Sequence, residues 1–411
     1  MTSLEYIHNA IAKCAKCGSC RSVCPVFLEE GREASVARGK IALVEAVHND
    51  GLEPSERLCA ILDNCLLCMS CVENCPNSVP VHEIIVAARA EMAQKRGTHW
   101  AKRFILKGIV ARAKVLRAAI SMGSLFQYLL FQRIPGTSGL RRRFPLPLVD
   151  SKRLIPQIPL RSLMMRLPEV SPAVGKEERR VLFFSGCAIR YLMPEIGVNL
   201  VRLLTRHGTT VVLPRDQVCC GVAAEASGYV DTAVRLEESN RNVFERQSFD
   251  AIVSACATCG NALRNKYGDH KVLDISELLA EAVDWSQMEP RPDLRDAVVT
   301  YHDPCHLRKG QGIVAQPRKI LRALFGQQFV EMDEPGRCCG SGGSYGVTHY
   351  EVSRKILQHK VEDIGSTGAR IVVTGCPGCI IQLRDGLHRA GMDVHVRHLL
   401  EVIAGAGSES A

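Results

Sequence analysis

Aromatic residues are scarce in this sequence: they form 5% of its 411 residues, with two tryptophans in all. Any core must therefore be aliphatic, and a hydrophobic share of 46% is enough to exclude a disordered chain. Long apolar runs are absent too. Residues 118 to 132 carry no charge, but this stretch includes Gly123 and Gln127 and falls short of the roughly 20 apolar residues that a bilayer span needs. The opening stretch MTSLEYIHNAIAKC has neither a basic region followed by an apolar run nor a twin-arginine pair, so a cytoplasmic location is expected. The chain is too long for a single core, and about two to four domains are expected.

What the chain has in abundance is cysteine. Nineteen cysteines without an export signal point to metal ligation rather than disulfides, because cytosolic thiols stay reduced. Nine of them lie within residues 1–100, in two tight runs separated by helical patterns. Val36, Ile41, Val44 and Val47 share a helical face, Ser55 is placed to cap a helix carrying Leu58, Ile61 and Leu62, and Ile84 to Gln94 reads as a further helix. Cys59, outside both runs, reads as a small core hydrophobe.

Positive charge is concentrated in one place. Residues 101–170 hold no cysteine, six prolines and fourteen Lys or Arg against two acids, Asp150 and Glu169. That segment alone carries +12, whereas the whole chain carries +9. It is expected to be a connector over 101–175, broken by prolines, either a solvated spacer or a patch for anionic lipid or an acidic partner. Phe126, Tyr128, Leu129 and Phe131 stand near Arg133 and Arg141 to Arg143, so peripheral contact with the inner face of the cytoplasmic membrane is one option. No recognised nucleic-acid module accompanies the charge, and nucleic acid is not expected as a partner.

From about residue 176 strand-like and helix-like segments alternate: VLFFSG, a helix near 191–207, TTVVLP, a helix near 228–247, AIVSAC. The pattern repeats as AVVTYH, a helix near 315–325, FVEM, a helix near 349–362 and ARIVVTGC. This is the text of small parallel α/β layers. The cysteines mark the duplication: Cys187 to Cys305 is 118 positions, Cys219 to Cys338 is 119 and Cys256 to Cys376 is 120. The expected fold class is α+β and multidomain: a helical domain over 1–100 that carries the two cysteine runs, the connector, and tandem cysteine-rich modules over 176–295 and 296–411.

The two amino-terminal runs are Cys14, Cys17, Cys20, Cys24 with Pro25 and Cys65, Cys68, Cys71, Cys75 with Pro76. Both read C-x2-C-x2-C-x3-C-P, the spacing of two-cluster ferredoxins, in which three thiolates wrap one cubane and the fourth completes the other. The expected sets are Cys14, Cys17, Cys20 and Cys75 for the first 4Fe-4S cluster, and Cys65, Cys68, Cys71 and Cys24 for the second. Structural zinc is the competing reading, but zinc ribbons need no third cysteine in the knuckle.

Each carboxyl module contributes five cysteines: Cys187, Cys219, Cys220, Cys256 and Cys259, then Cys305, Cys338, Cys339, Cys376 and Cys379. All ten are expected after strands or in loops, where the carboxyl ends of parallel strands and helix N-termini favour an anionic ligand. Five thiols exceed the tetrahedral set of zinc. In YHDPCHL, His302, Asp303 and His306 flank Cys305 and are candidates to hydrogen-bond a cluster or move protons near it; the plain alternative is a structural role. No dinucleotide fingerprint and no P-loop is apparent, so any hydride chemistry is expected on a partner.

Two ferredoxin motifs followed by VCCGVA with ACATCG and RCCGSGG with GCPGC resemble the iron-sulfur subunits of glycolate oxidase. The iron-sulfur subunit of anaerobic glycerol-3-phosphate dehydrogenase and the catalytic subunits of heterodisulfide reductase share these "CCG" modules. The stretch Ala37-Arg38-Gly39-Lys40-Ile41-Ala42-Leu43 is similar to the R-G-[RK]-I-x-L segment of the glycolate and lactate branch. The resemblance implies two cubanes and one or two non-cubane 4Fe-4S clusters in the CCG modules. It implies a relay of electrons from an FAD-containing dehydrogenase subunit to a quinone or another acceptor. Disulfide reduction at the CCG clusters and glycerol-3-phosphate oxidation are the alternatives.

Overall fold

The computed structural model describes residues 4–49, 51–97, 100–134, 139–144, 150 and 153–404. Four helices organise the amino-terminal part: Leu4–Ala12, Ala37–His48, Glu56–Asp63 and Val81–Arg96. Their apolar faces meet in one cluster that includes Ile41, Val44, Leu58, Leu62, Ile84 and Ile85, as the helical periodicity predicts. The Ser55 hydroxyl accepts from the Leu58 amide at 3.2 Å and starts its helix as expected. Cys59 packs against this cluster only in part.

The described residues of the connector include regular elements. Its prolines begin at Pro135, and the proline-free stretch before them forms an 18-residue helix, Ala113–Leu130. Strands β1 (Phe131–Arg133), β2 (Gly139–Arg142) and β3 (Ile155–Pro156) then make a small antiparallel sheet.

The first module is a five-stranded sheet of β4 (Val170–Ser171), β5 (Arg179–Phe183), β6 (Thr209–Val212), β7 (Ala251–Ser254) and β8 (Val272–Asp274), in the order β4-β6-β5-β7-β8. All pairings are parallel except that of β4 with β6. The second module has β9 (Val299–Tyr301), β10 (Ile371–Thr374) and β11 (His395–His398), all parallel, in the order β11-β10-β9. The FVEM segment expected as a strand makes only an isolated parallel bridge, Phe329 to Val299. That bridge occupies the place of β6, so the duplicated order is kept while the strand is reduced to one residue. β8 and β11, which the sequence did not reveal, are equivalent: each ends in a capping box, Asp274 with Glu277 and His398 with Glu401.

The two modules share one hydrophobic core. His398 Nε2 lies 2.9 Å from the Ala255 carbonyl, and the Ala257 amide donates to the Gly375 carbonyl at 3.1 Å. The amino-terminal part docks on both. Arg89, buried, donates to the carbonyls of Leu62, Asp63 and Cys65 in its own part and to Ala226 of the first module at 2.7 Å. Tyr345 Oη donates to Asn64 Oδ1 at 2.8 Å, and Lys309 Nζ to Ser70 Oγ at 2.6 Å.

Candidate metal centres

The two ferredoxin-type loops have the same backbone. In Cys14-Ala-Lys-Cys17 and Cys65-Leu-Leu-Cys68 the residue before the second cysteine, Lys16 and Leu67, is left-handed, at φ 55° and 54°. The residue after it, Gly18 and Met69, is left-handed as well, at φ 91° and 60°. Non-glycine residues there cost of order 1 kcal/mol each, a strain held by the cysteine-bearing curl itself. Each loop repeats a thiol to hydroxyl contact, Cys17 to Ser19 at 3.3 Å and Cys68 to Ser70 at 3.4 Å.

Two cavities lie inside these loops. One is lined by Cys24, Cys65, Cys68 and Cys71, and the other by Cys14, Cys17, Cys20 and Cys75, with Cys71 also touching its wall. The fourth cysteine of each run, Cys24 and Cys75, thus lies at the cavity of the other run. Lys40, buried, lines the Cys24 cavity, and Arg38 lines the Cys17 cavity. One short helical stretch therefore sets a cation beside each thiol group. Burial pushes the Cys24 thiol up to about 11, and metal binding favours its thiolate.

In the first module Cys187 lies in the short helix Gly186–Tyr191, Cys219 and Cys220 in the loop after β6, and Cys256 and Cys259 at the start of helix Ala257–Lys266. Cys187, Cys259 and their counterparts Cys305 and Cys379 follow β5, β7, β9 and β10, and stand inside the first helical turns that come next. There the helix N-termini favour thiolate. Cys187 is exposed as a residue, yet its sulfur turns inward onto Cys219. Cys220 and Cys259 Sγ are 3.5 Å apart. Contact with Cys219, then burial, pushes Cys220 up to about 12. Gly221 and Gly340, the glycines of the two C-C-G triplets, have φ +85° and +79°. A Cβ at Gly340 would stand 2.6 Å from the Ser353 carbonyl, so only glycine makes this turn. It also brings the Gly340 amide 3.4 Å from Cys338 Sγ.

The second module repeats the arrangement and adds a histidine. Cys305 faces Cys338, and Cys339 faces Cys379. His302 is buried, with no partner for its ring nitrogens beyond the thiols, and its nitrogen lies within 4.8 Å of Cys339 and Cys379 Sγ. His306 Nδ1 sits 3.8 Å from Cys305 Sγ and 3.4 Å from Thr258 Oγ1. Asp303 takes a different part from the one the sequence suggested. Its carboxylate is held by Arg318 at 2.8 and 2.9 Å and by Arg308 at 3.1 Å, an ion-pair network that fixes the loop.

All nineteen cysteines are free, and the clustered thiols suit iron-sulfur ligation: eight around two cavities, five in each module, and glycine amides beside them. Residues 10–79 match the 4Fe-4S dicluster domain family, and residues 181–264 and 299–384 the cysteine-rich domain family. A probable glycolate oxidase iron-sulfur subunit from Bacillus subtilis is 31% identical over 96% of this chain and 93% of its own length. This chain belongs to the glycolate oxidase iron-sulfur subunit family. The Escherichia coli glycolate oxidase iron-sulfur subunit is 27% identical over 96% of this chain and 94% of its own length. A CoB–CoM heterodisulfide reductase chain from Methanosarcina acetivorans is 25% identical over 96% of this chain and 93% of its own length. The glycolate oxidase iron-sulfur family is one of oxidoreductase subunits, and its member here is an iron-sulfur protein.

The sequence did not reveal the contacts between these centres. Cys68 of the second ferredoxin loop meets Cys338, and Cys256 of the first module meets its own duplicate, Cys376. Thr258 Oγ1 lies 3.6 Å from Cys376 Sγ across the same seam.

Proposed function

We propose that this chain relays single electrons in a flavin-dependent 2-hydroxy-acid dehydrogenase complex of the glycolate or D-lactate type, from an FAD-containing dehydrogenase subunit to a quinone or another acceptor. Bound clusters supply the one-electron chemistry. The chain supplies four thiol sets in series: Cys14, Cys17, Cys20 and Cys75; then Cys24, Cys65, Cys68 and Cys71; then the second module; then the first. The observation that carries this order is the pair of sulfur contacts that join the sets, Cys68 with Cys338 and Cys376 with Cys256.

Cys17 is exposed, which leaves the first thiol set open to a donor at the surface. Mixing the anaerobic protein with its flavoprotein and glycolate or D-lactate should bleach the visible iron-sulfur absorption. A chain that stays oxidised while the flavin is reduced contradicts the relay.

Disulfide reduction at the CCG clusters is a second reading, supported by both complete five-thiol sets and by the heterodisulfide reductase relative. Thiol release from disulfides by the purified chain would favour it.

A peripheral contact with anionic membrane is part of the proposal. Helix Ala113–Leu130 is turned inside out: Ser124 and Gln127 are buried, while Leu125 and Leu129 are 65% and 67% exposed. Gln127 faces inward because its amide pairs with the Ile158 backbone, at 2.8 and 3.0 Å. Among the described residues no helix is long and apolar enough to cross a membrane. The exposed stripe beside so many cations fits the head-group boundary.

A further inference from the structure

We propose that His302 is a nitrogen ligand of the cluster in the second module, so that the duplicated modules hold electronically different centres. The inference rests on the reading that the second module carries a cluster. It goes beyond it by setting a nitrogen donor among the five thiols, in the place of one thiolate on an iron.

The position is fixed by the duplication. His302 follows β9 as Phe184 follows β5, and their amides make equivalent hydrogen bonds, His302 to the Val373 carbonyl and Phe184 to the Val253 carbonyl, each at 2.9 Å. Phe184 is wholly buried and meets the Phe244 ring edge-on at 6.2 Å. The first module therefore fills this position with hydrocarbon. In the second module the same position holds an imidazole that is 1% exposed and whose nitrogens have no partner beyond the neighbouring Cys339 thiol. A buried polar ring needs a partner, and an imidazole set beside thiols can bind the metal that they bind. Its nitrogen lies within 4.8 Å of Cys339 and Cys379 Sγ. Ser185 and Gln217, which pair beside Phe184 at 3.1 Å, show that polar groups near the first site are satisfied within the protein.

A neutral nitrogen that takes the place of a thiolate on iron lowers the negative charge there and raises the reduction potential. The second-module centre should therefore be the easier of the two to reduce.

The test uses the anaerobically purified full chain with its histidines labelled with 15N, measured by pulsed electron paramagnetic resonance alongside iron analysis. One strongly coupled histidine nitrogen is expected, with its frequency shifted by the label. His302→Phe, which copies Phe184 of the first module, should abolish the coupling and lower the midpoint potential of one cluster, while the five thiols keep its iron. His302→Gln, which preserves polarity and approximate size, should do the same. A full iron complement with no strongly coupled nitrogen, or a coupling that survives in His302→Phe, overturns the assignment alone. Iron sufficient only for the two ferredoxin-type clusters overturns both it and the four-cluster reading.

Discussion

The sulfur of Cys68, in the second ferredoxin-type loop, lies against the sulfur of Cys338, in the second cysteine-rich module. Around them Val26, Leu66, Tyr345 and Ile356 form a small apolar cluster of their own. The contact joins residues 270 positions apart in the sequence. It makes the second module, and not the first, the neighbour of the amino-terminal thiols.

Lys309 provides a handle on this junction. Its ammonium is nearly buried, donates to Ser70 Oγ at 2.6 Å and sits 4.0 Å from Glu73. A cation here favours the reduced, more negative state of a cluster held by Cys68. Lys309→Met should lower that cluster's midpoint potential by roughly 20–60 mV, read in a spectroscopic redox titration. An unchanged potential would remove Lys309 from the electrostatics of the site.

Crossed ligation makes a prediction that separates the two loops. Cys75→Ser should damage the cluster whose other ligands are Cys14, Cys17 and Cys20, and spare the one held by Cys65, Cys68 and Cys71. Loss confined to the latter would show that each run closes on itself.

Asp274 gives the fold a pH dependence that involves no cysteine. It caps helix Ile275–Ala282, and burial pushes its carboxyl up to about 6. The unfolded chain ionises near the ordinary value of about 3.9. Between those values the folded state binds the extra proton, so stability falls as pH rises from about 4 to about 6 and is level above. Asp274→Asn keeps an oxygen for the Ser276 amide and removes the charge. Urea unfolding at pH 5 and pH 7 should show the parent losing about 1 kcal/mol more than the variant between the two conditions. Equal losses would place the carboxyl at an ordinary value.

The connector should bind anionic vesicles and release them as salt rises, since surface electrostatics are screened within about 10 Å at 0.1 M. Arg141→Gln, Arg142→Gln and Arg143→Gln together should weaken flotation with phosphatidylglycerol vesicles. Phe126→Ser with Leu129→Ser should weaken it in high salt as well, where the apolar stripe alone holds. Binding equal to the parent in both variants would leave the connector as a spacer.

Much of the candidate site was legible because cluster ligation imposes short, fixed spacings on the chain. The cysteine runs, the duplicated five-cysteine sets and the cap at Ser55 are local facts of this kind. What was hidden was set by distant packing. β8 and β11 are short, at three and four residues, and each runs straight into a helix that masks it. FVEM has the composition of a strand, but its pairing with β9 stops at the Phe329 bridge and the Val330 amide on the Val299 carbonyl, while Met332 turns into the core. Prolines suggested a broken connector, although the residues before Pro135 are free to form a helix. Asp303 stands beside Cys305 in the sequence, but Arg318, fifteen residues from it, holds its carboxylate.

The count of iron and acid-labile sulfide in the anaerobically purified chain tests the central claim most directly. Four filled thiol sets predict about sixteen iron and about sixteen sulfide per chain, with Mössbauer spectra divided between two cubane clusters and two of another type. About eight iron per chain, all of it cubane, would contradict the four-centre relay and leave the cysteine-rich modules without clusters.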